Sequence, residues 1–110
     1  AVHYLTYERF VSQYEQVIKT CVVSILEAYG FQTDIRSWDK MLRALKYWLL
    51  HHTKFENPEF YHQLKNFRKI RQITNEKGYV TDVQFIQMKE SFSHFTHWFT
   101  ELDHTNIKRH

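Results

Sequence analysis

The chain has 110 residues and a mass of 13.6 kDa, long enough for one domain burying about two-thirds of its extended-chain surface. Its hydrophobic fraction of 43% and aromatic fraction of 17% exclude intrinsic disorder, and two Gly and one Pro are too few turn residues for an all-β domain. The net charge of +3 is unevenly distributed: residues 36–77 carry ten basic and four acidic side chains, flanked by segments of net −2 and −1.

The first predicted helix spans about residues 4–29. Tyr7, Phe10, Val11, Tyr14, Val17, Ile18, Cys21, Val22, Ile25 and Leu26 form a wide apolar stripe on it, the mark of a central helix. Gly30 is placed to end it in a left-handed conformation, with Phe31 folding back on the last turn. Ser37 is the expected N-cap of a second helix over about 37–52, whose inner stripe is Trp38, Met41, Leu42, Leu45 and Leu49. Thr53 to Asn57 read as a connection. Asn57 followed by Pro58 signals the start of a third helix over about 58–74, with Phe60, Leu64 and Phe67 inward and Ile70 and Ile73 continuing less regularly. Gly78 marks a break. Thr81 then caps a fourth helix over about 82–103, with Asp82 suited to the positive end of its dipole. Its stripe of Phe85, Met88, Phe92, Phe95, Phe99 and Leu102 is the most regular in the chain. Four helices with short connections predict an all-α, up-and-down antiparallel bundle in a single domain. The chain opens on Ala1 rather than Met and is read as a piece of a longer protein.

Several chemistries find little support. No apolar run reaches the roughly 18–20 residues of a membrane span. The single cysteine, Cys21, forms no internal disulfide and suits an intracellular, reducing setting. With two isolated glycines the chain holds neither a P-loop nor a dinucleotide fingerprint, so no cofactor is expected. Glu59–His62 and Glu101–His104 are Glu-x-x-His pairs, and Glu8 is expected near their level. They flank the stripes, though, and helix two offers His51 and His52 instead of a carboxylate, so no metal is assigned. His94 and His97 are treated alike.

The strongest local signal is the run Lys65-Asn66-Phe67-Arg68-Lys69-Ile70-Arg71, with Lys77 just beyond it. Lys65, Arg68 and Lys69 share a helix face bordered by Arg71, an arrangement that contacts phosphates without reading sequence. Tyr61 and Tyr79 are near enough in sequence to offer stacking surfaces. Lys65, Arg68, Lys69, Arg71 and Lys77 are therefore the candidate nucleic-acid-binding residues. A solvated basic face is the plain alternative.

The stretch from Leu64 to Gly78, Leu-Lys-Asn-Phe-Arg-Lys-Ile-Arg-Gln-Ile-Thr-Asn-Glu-Lys-Gly, resembles the penultimate-helix motif of HEPN domains (higher-eukaryote and prokaryote nucleotide-binding). The likeness extends to the order of elements, and it is similar in feel to the C-terminal module of nuclear endoribonucleases that also carry a PIN domain. It implies a small helical bundle, RNA as partner, homodimerisation and, in the narrower match, a nuclear setting. Many members are ribonucleases with an Arg, four to six spacers and a His. Here Glu76 stands five positions after Arg71, and no Arg in the chain has a His at the required spacing. A Glu beside basic groups stays ionised and repels phosphate, so no catalytic residue is assigned and Arg71 with Glu76 reads as a degenerate motif or an ion pair. The expected function is a non-catalytic accessory domain for RNA binding, RNA processing or dimerisation. A competing reading is a protein–protein module without nucleic-acid binding, its interface anchored by Trp48 and Trp98. A third, an enzyme using Arg71 and Glu76, has the weakest chemistry.

Overall fold

The structure, a computed structural model, describes residues 2–32, 34, 36–52 and 59–105. They form four α-helices: α1 (Val2–Ala28), α2 (Trp38–His52), α3 (Glu59–Lys77) and α4 (Asp82–Thr105). No strand occurs among the described residues, and the all-α helical bundle expected from the glycine and proline count is what the chain adopts. The Asn57–Pro58 start signal and the 53–57 connection lie outside the described residues, as do the side chains of His52, Leu102 and His104.

The helix ends follow from local chemistry. After α1, the Phe31 N–H donates to the Leu26 carbonyl at 2.9 Å and the Gly30 N–H to the Glu27 carbonyl at 3.0 Å. This is a Schellman turn, with Gly30 at φ +84° and Phe31 packed on the core. The Ser37 hydroxyl caps α2 by accepting from the Lys40 N–H at 3.3 Å. Thr81 and Gln84 cap α4 reciprocally. The Thr81 N–H donates to Gln84 Oε1 at 3.0 Å, and the Gln84 N–H donates to Thr81 Oγ1 at 3.2 Å. Helix α3 runs to Lys77, three residues past the predicted Thr74, because Gly78 at φ +81° closes it through one bond to the Thr74 carbonyl. Gly30→Ala will cost about 1–2 kcal/mol in a urea or thermal melt. A Cβ there meets open space, so the loss comes from left-handed backbone strain alone.

The direction of the helices departs from the expected up-and-down order. Tyr7 of α1 stacks on Phe85 of α4 at 4.3 Å, and Tyr14 stacks on Phe92 at 4.4 Å, so α1 and α4 run parallel. Glu15 accepts from the Trp38 indole at 2.8 Å, and Tyr29 meets Trp48 at 5.5 Å, so α1 and α2 are parallel too. Only α3 is reversed: it pairs Phe67 with Trp38 and Phe60 with Trp98. The segment between α1 and α2 returns from the level of Ala28 to that of Glu15, about 20 Å of helix rise. Nine residues can span that distance. Short-connection reasoning failed here because this connection is long enough to cross over.

The core is one cluster containing Val11, Ile18, Val22, Leu26, Met41, Leu45, Trp48, Leu64, Phe67, Met88, Phe95 and Trp98. Trp48 is fully buried and Trp98 is 4% exposed and stacked on Phe60 at 3.7 Å. The expectation that these two tryptophans anchor an interface is therefore corrected: the chain's own core consumes both. Conversely, Phe10 and Val17 were expected inward yet stand 42% and 41% exposed. Each sits one residue before a core position, about 100° around the helix, beyond what the neighbouring helices cover.

Candidate nucleic-acid interface

The side chains of α3 divide by register. Phe60, Leu64, Phe67, Arg71 and Thr74 recur at spacings of four, three, four and three and are buried. Arg71 thus occupies an apolar position of the stripe. Its guanidinium makes a two-pronged ion pair with Glu8, Nη1 to Oε2 and Nη2 to Oε1 each at 2.8 Å, and Nε donates to Glu15 Oε1 at 3.2 Å. Glu15 also accepts from the Trp38 indole and pairs with Lys19 at 3.7 Å. The hydrogen bonds from Arg71 hold the Glu8 carboxyl below its ordinary range against partial burial, and Glu8 in turn raises the Arg71 guanidinium. This cluster ties α3 to α1 and α2.

Arg71 is therefore removed from the set of phosphate-binding candidates, since all three of its nitrogens are engaged by carboxylates. The expected Arg71–Glu76 pair is corrected as well: Glu76 is exposed and accepts from Gln72 at 3.5 Å. The misreading has a physical source. Arginine is read as a surface residue by type, and only the 60-64-67-71-74 spacing, with Glu8 and Glu15 two turns apart on α1, marks this one as inward.

The remaining basic residues of α3 converge with those of α2. A groove of about 570 Å³ between the two helices is lined by Arg43 and Lys46 on one wall and Lys65, Arg68 and Lys69 on the other. Tyr61 and His62 close one end, and Asp39 is the one carboxylate among the described lining residues. Arg68 pairs with it, Nη2 to Oδ1 at 2.7 Å. Tyr61 is fixed by donating its hydroxyl to the Leu42 carbonyl at 3.2 Å; burial pushes its phenol upward, so it stays a neutral donor. The Lys65 ammonium stands 5.9 Å from the Tyr61 ring centre. Three of the five sequence candidates, Lys65, Arg68 and Lys69, thus line one groove. Lys77 is exposed at the end of α3 and Tyr79 in the turn beyond it, and neither lines the groove. Sequence reasoning missed Arg43 and Lys46. Their signal was present, two cations three residues apart on a helix within the basic segment.

Other chemistries find no constellation. Among the described residues no group of three His, Cys, Asp or Glu side chains is placed to hold a metal ion. Glu8 is not level with Glu59–His62, because α3 runs against α1 and brings its C-terminal half to Glu8. Burial raises the half-buried Cys21 thiol, which lowers its reactivity at neutral pH. No described helix is long and apolar enough to cross a membrane.

Fold and groove together define an all-α four-helix domain with a cationic interhelical groove. Comparison with protein-family models, curated proteins and solved structures finds no match for the chain.

Proposed function

We propose that this domain is a non-catalytic, HEPN-like accessory module that binds RNA through the α2–α3 groove and so supports RNA processing by a parent nuclease inside the cell, the narrower likeness implying the nucleus. The observation that carries the reading is the convergence of Arg43, Lys46, Lys65, Arg68 and Lys69 on one groove, with Asp39 the single carboxylate among its described lining residues. Opposed walls of cations concentrate positive potential where a phosphate backbone releases its counterions. The non-catalytic part is supported by Arg71, whose guanidinium is buried and held in place by two carboxylates, Glu8 and Glu15, whose negative charge opposes a phosphate there. Glu76, at the position where the motif keeps a histidine, is exposed and accepts from Gln72.

The test is RNA binding followed by anisotropy across a salt series. The paired reversal Arg43→Glu, Lys46→Glu will weaken binding at least tenfold and flatten the logarithmic salt slope by about 1.4, the value for two single-strand phosphate contacts. Lys77→Glu, outside the groove, will change affinity less than twofold. Equal losses in both variants, or binding indifferent to salt, would refute the groove as the interface.

A further inference from the structure

We propose that the groove takes one RNA strand rather than a duplex, and that a strand phosphate displaces Asp39 from Arg68 on binding. This rests on the RNA reading above and adds the form of the ligand and the contact that resists it.

The form follows from the shape of the site. Arg43 and Lys46 of α2 and Lys65, Arg68 and Lys69 of α3 line the two sides of one open groove along the seam of the two helices. A single line of phosphates can meet Arg43 and Lys46 on one side and Lys65, Arg68 and Lys69 on the other. A duplex carries its two backbones on a convex exterior and presents no unstacked base to Tyr61. The groove also contains Tyr61, half-buried and with its ring orientation preset by the Leu42 carbonyl. An aromatic face in a groove serves an unstacked base, which a single strand has and an intact duplex lacks. Presetting the ring lowers the ordering cost of that contact.

The second part follows from the Asp39–Arg68 pair. Its carboxylate oxygen lies 2.7 Å from Nη2, the distance a phosphate oxygen would take. The aspartate side chain is 63% exposed while the arginine side chain is 37% exposed, so the carboxylate can swing into solvent while the guanidinium stays in the wall. Asp39, Arg68 and Gln72 line both this groove and a second cavity of about 430 Å³, whose other charged lining residues are Arg36, Arg71, Glu15 and Glu76. The ion pair therefore stands at the boundary between the cationic groove and the mixed-charge second cavity. With Asp39 displaced, the five groove cations neutralise about five phosphates, for a salt slope no steeper than about −3.5.

The experiment compares a labelled single-stranded oligouridylate with an RNA duplex of the same length, on the wild-type chain and on Asp39→Asn and Tyr61→Leu. Circular dichroism checks that each variant is folded. The single strand will bind at least tenfold tighter than the duplex at the same salt. Asp39→Asn will tighten single-strand binding about three- to tenfold and leave the salt slope unchanged, because the bound strand contacts the same phosphates in both proteins. Tyr61→Leu will weaken single-strand binding at least fivefold, the lower end of a lost base stack. Duplex binding as tight as single-strand binding overturns the single-strand assignment, and unchanged affinity in Asp39→Asn overturns the displacement. If neither RNA binds the wild-type chain, the RNA reading itself fails, an outcome distinct from both.

Discussion

Trp48→Ala will destabilise the domain by about 3–5 kcal/mol, measured as a fall in the urea midpoint by circular dichroism. The side chain is fully buried, meets Tyr29, just past the end of α1, edge-on at 5.5 Å, and belongs to the cluster shared by all four helices. Removing it leaves a void that the surrounding Leu, Phe and Met side chains cannot fill without leaving their rotamers. A domain of this size has roughly 5–15 kcal/mol in total, so the variant sits near the edge of folding at room temperature. Trp48→Phe keeps the ring and most of the volume and will lose less than half as much. If Trp48→Ala melted like the wild type while weakening self-association, the tryptophan would be an interface anchor after all.

Arg71→Met will cost about 2–3 kcal/mol, despite exchanging a charge for an apolar side chain at a buried position. Orphaning one side of a buried ion pair commonly costs about 3–5 kcal/mol. The figure is reduced here because Glu8 keeps 46% of its side-chain surface in water. What remains is two carboxylates, Glu8 and Glu15, facing the same site without their shared cation. Arg71→Lys will recover only part of the loss, since an ammonium cannot make the two-pronged contact with Glu8 and also reach Glu15. The effect carries a pH signature. Glu8 is held below its ordinary pKa by Arg71, so its contribution is fully present above the unfolded value near 4.3 and is lost as pH falls through the lower folded value. The wild-type urea midpoint will therefore drop between about pH 5 and pH 3 by more than that of Arg71→Met. Parallel acid dependence in the two proteins would rule out the Glu8 contact as its source.

These two residues also show where the sequence was readable. Regular apolar spacing located α4, and Gly30, Ser37, Gly78 and Thr81 fixed helix ends through conformations or bonds that belong to a few residues in sequence. Such signals are local, and the chain carries them in order. Arg71 and Trp48 are different. Whether a guanidinium is a surface charge or a core clamp depends on Glu8, more than sixty residues away, and whether an indole is an anchor or filler depends on how many neighbours close over it. Helix direction is hidden for the same reason: nothing in the residues between α1 and α2 states which way the chain turns, only how far it can reach. The basic groove falls between the extremes. Its α3 wall was visible as a charge run, while its α2 wall becomes a wall only once antiparallel packing brings Arg43 and Lys46 opposite Lys65 and Lys69.

The crossover between α1 and α2 has a mechanical corollary. In an alternating four-helix bundle the first and last helices point in opposite directions, and the chain leaves where it came in. Here α1 and α4 are parallel, with Tyr7 beside Phe85 and Tyr14 beside Phe92. The backbone enters at one pole and leaves at the other, a helix length of about 36 Å away. Whatever is attached to the two poles is held apart by a stiff strut, and the groove that α2 and α3 form lies along its side, between them.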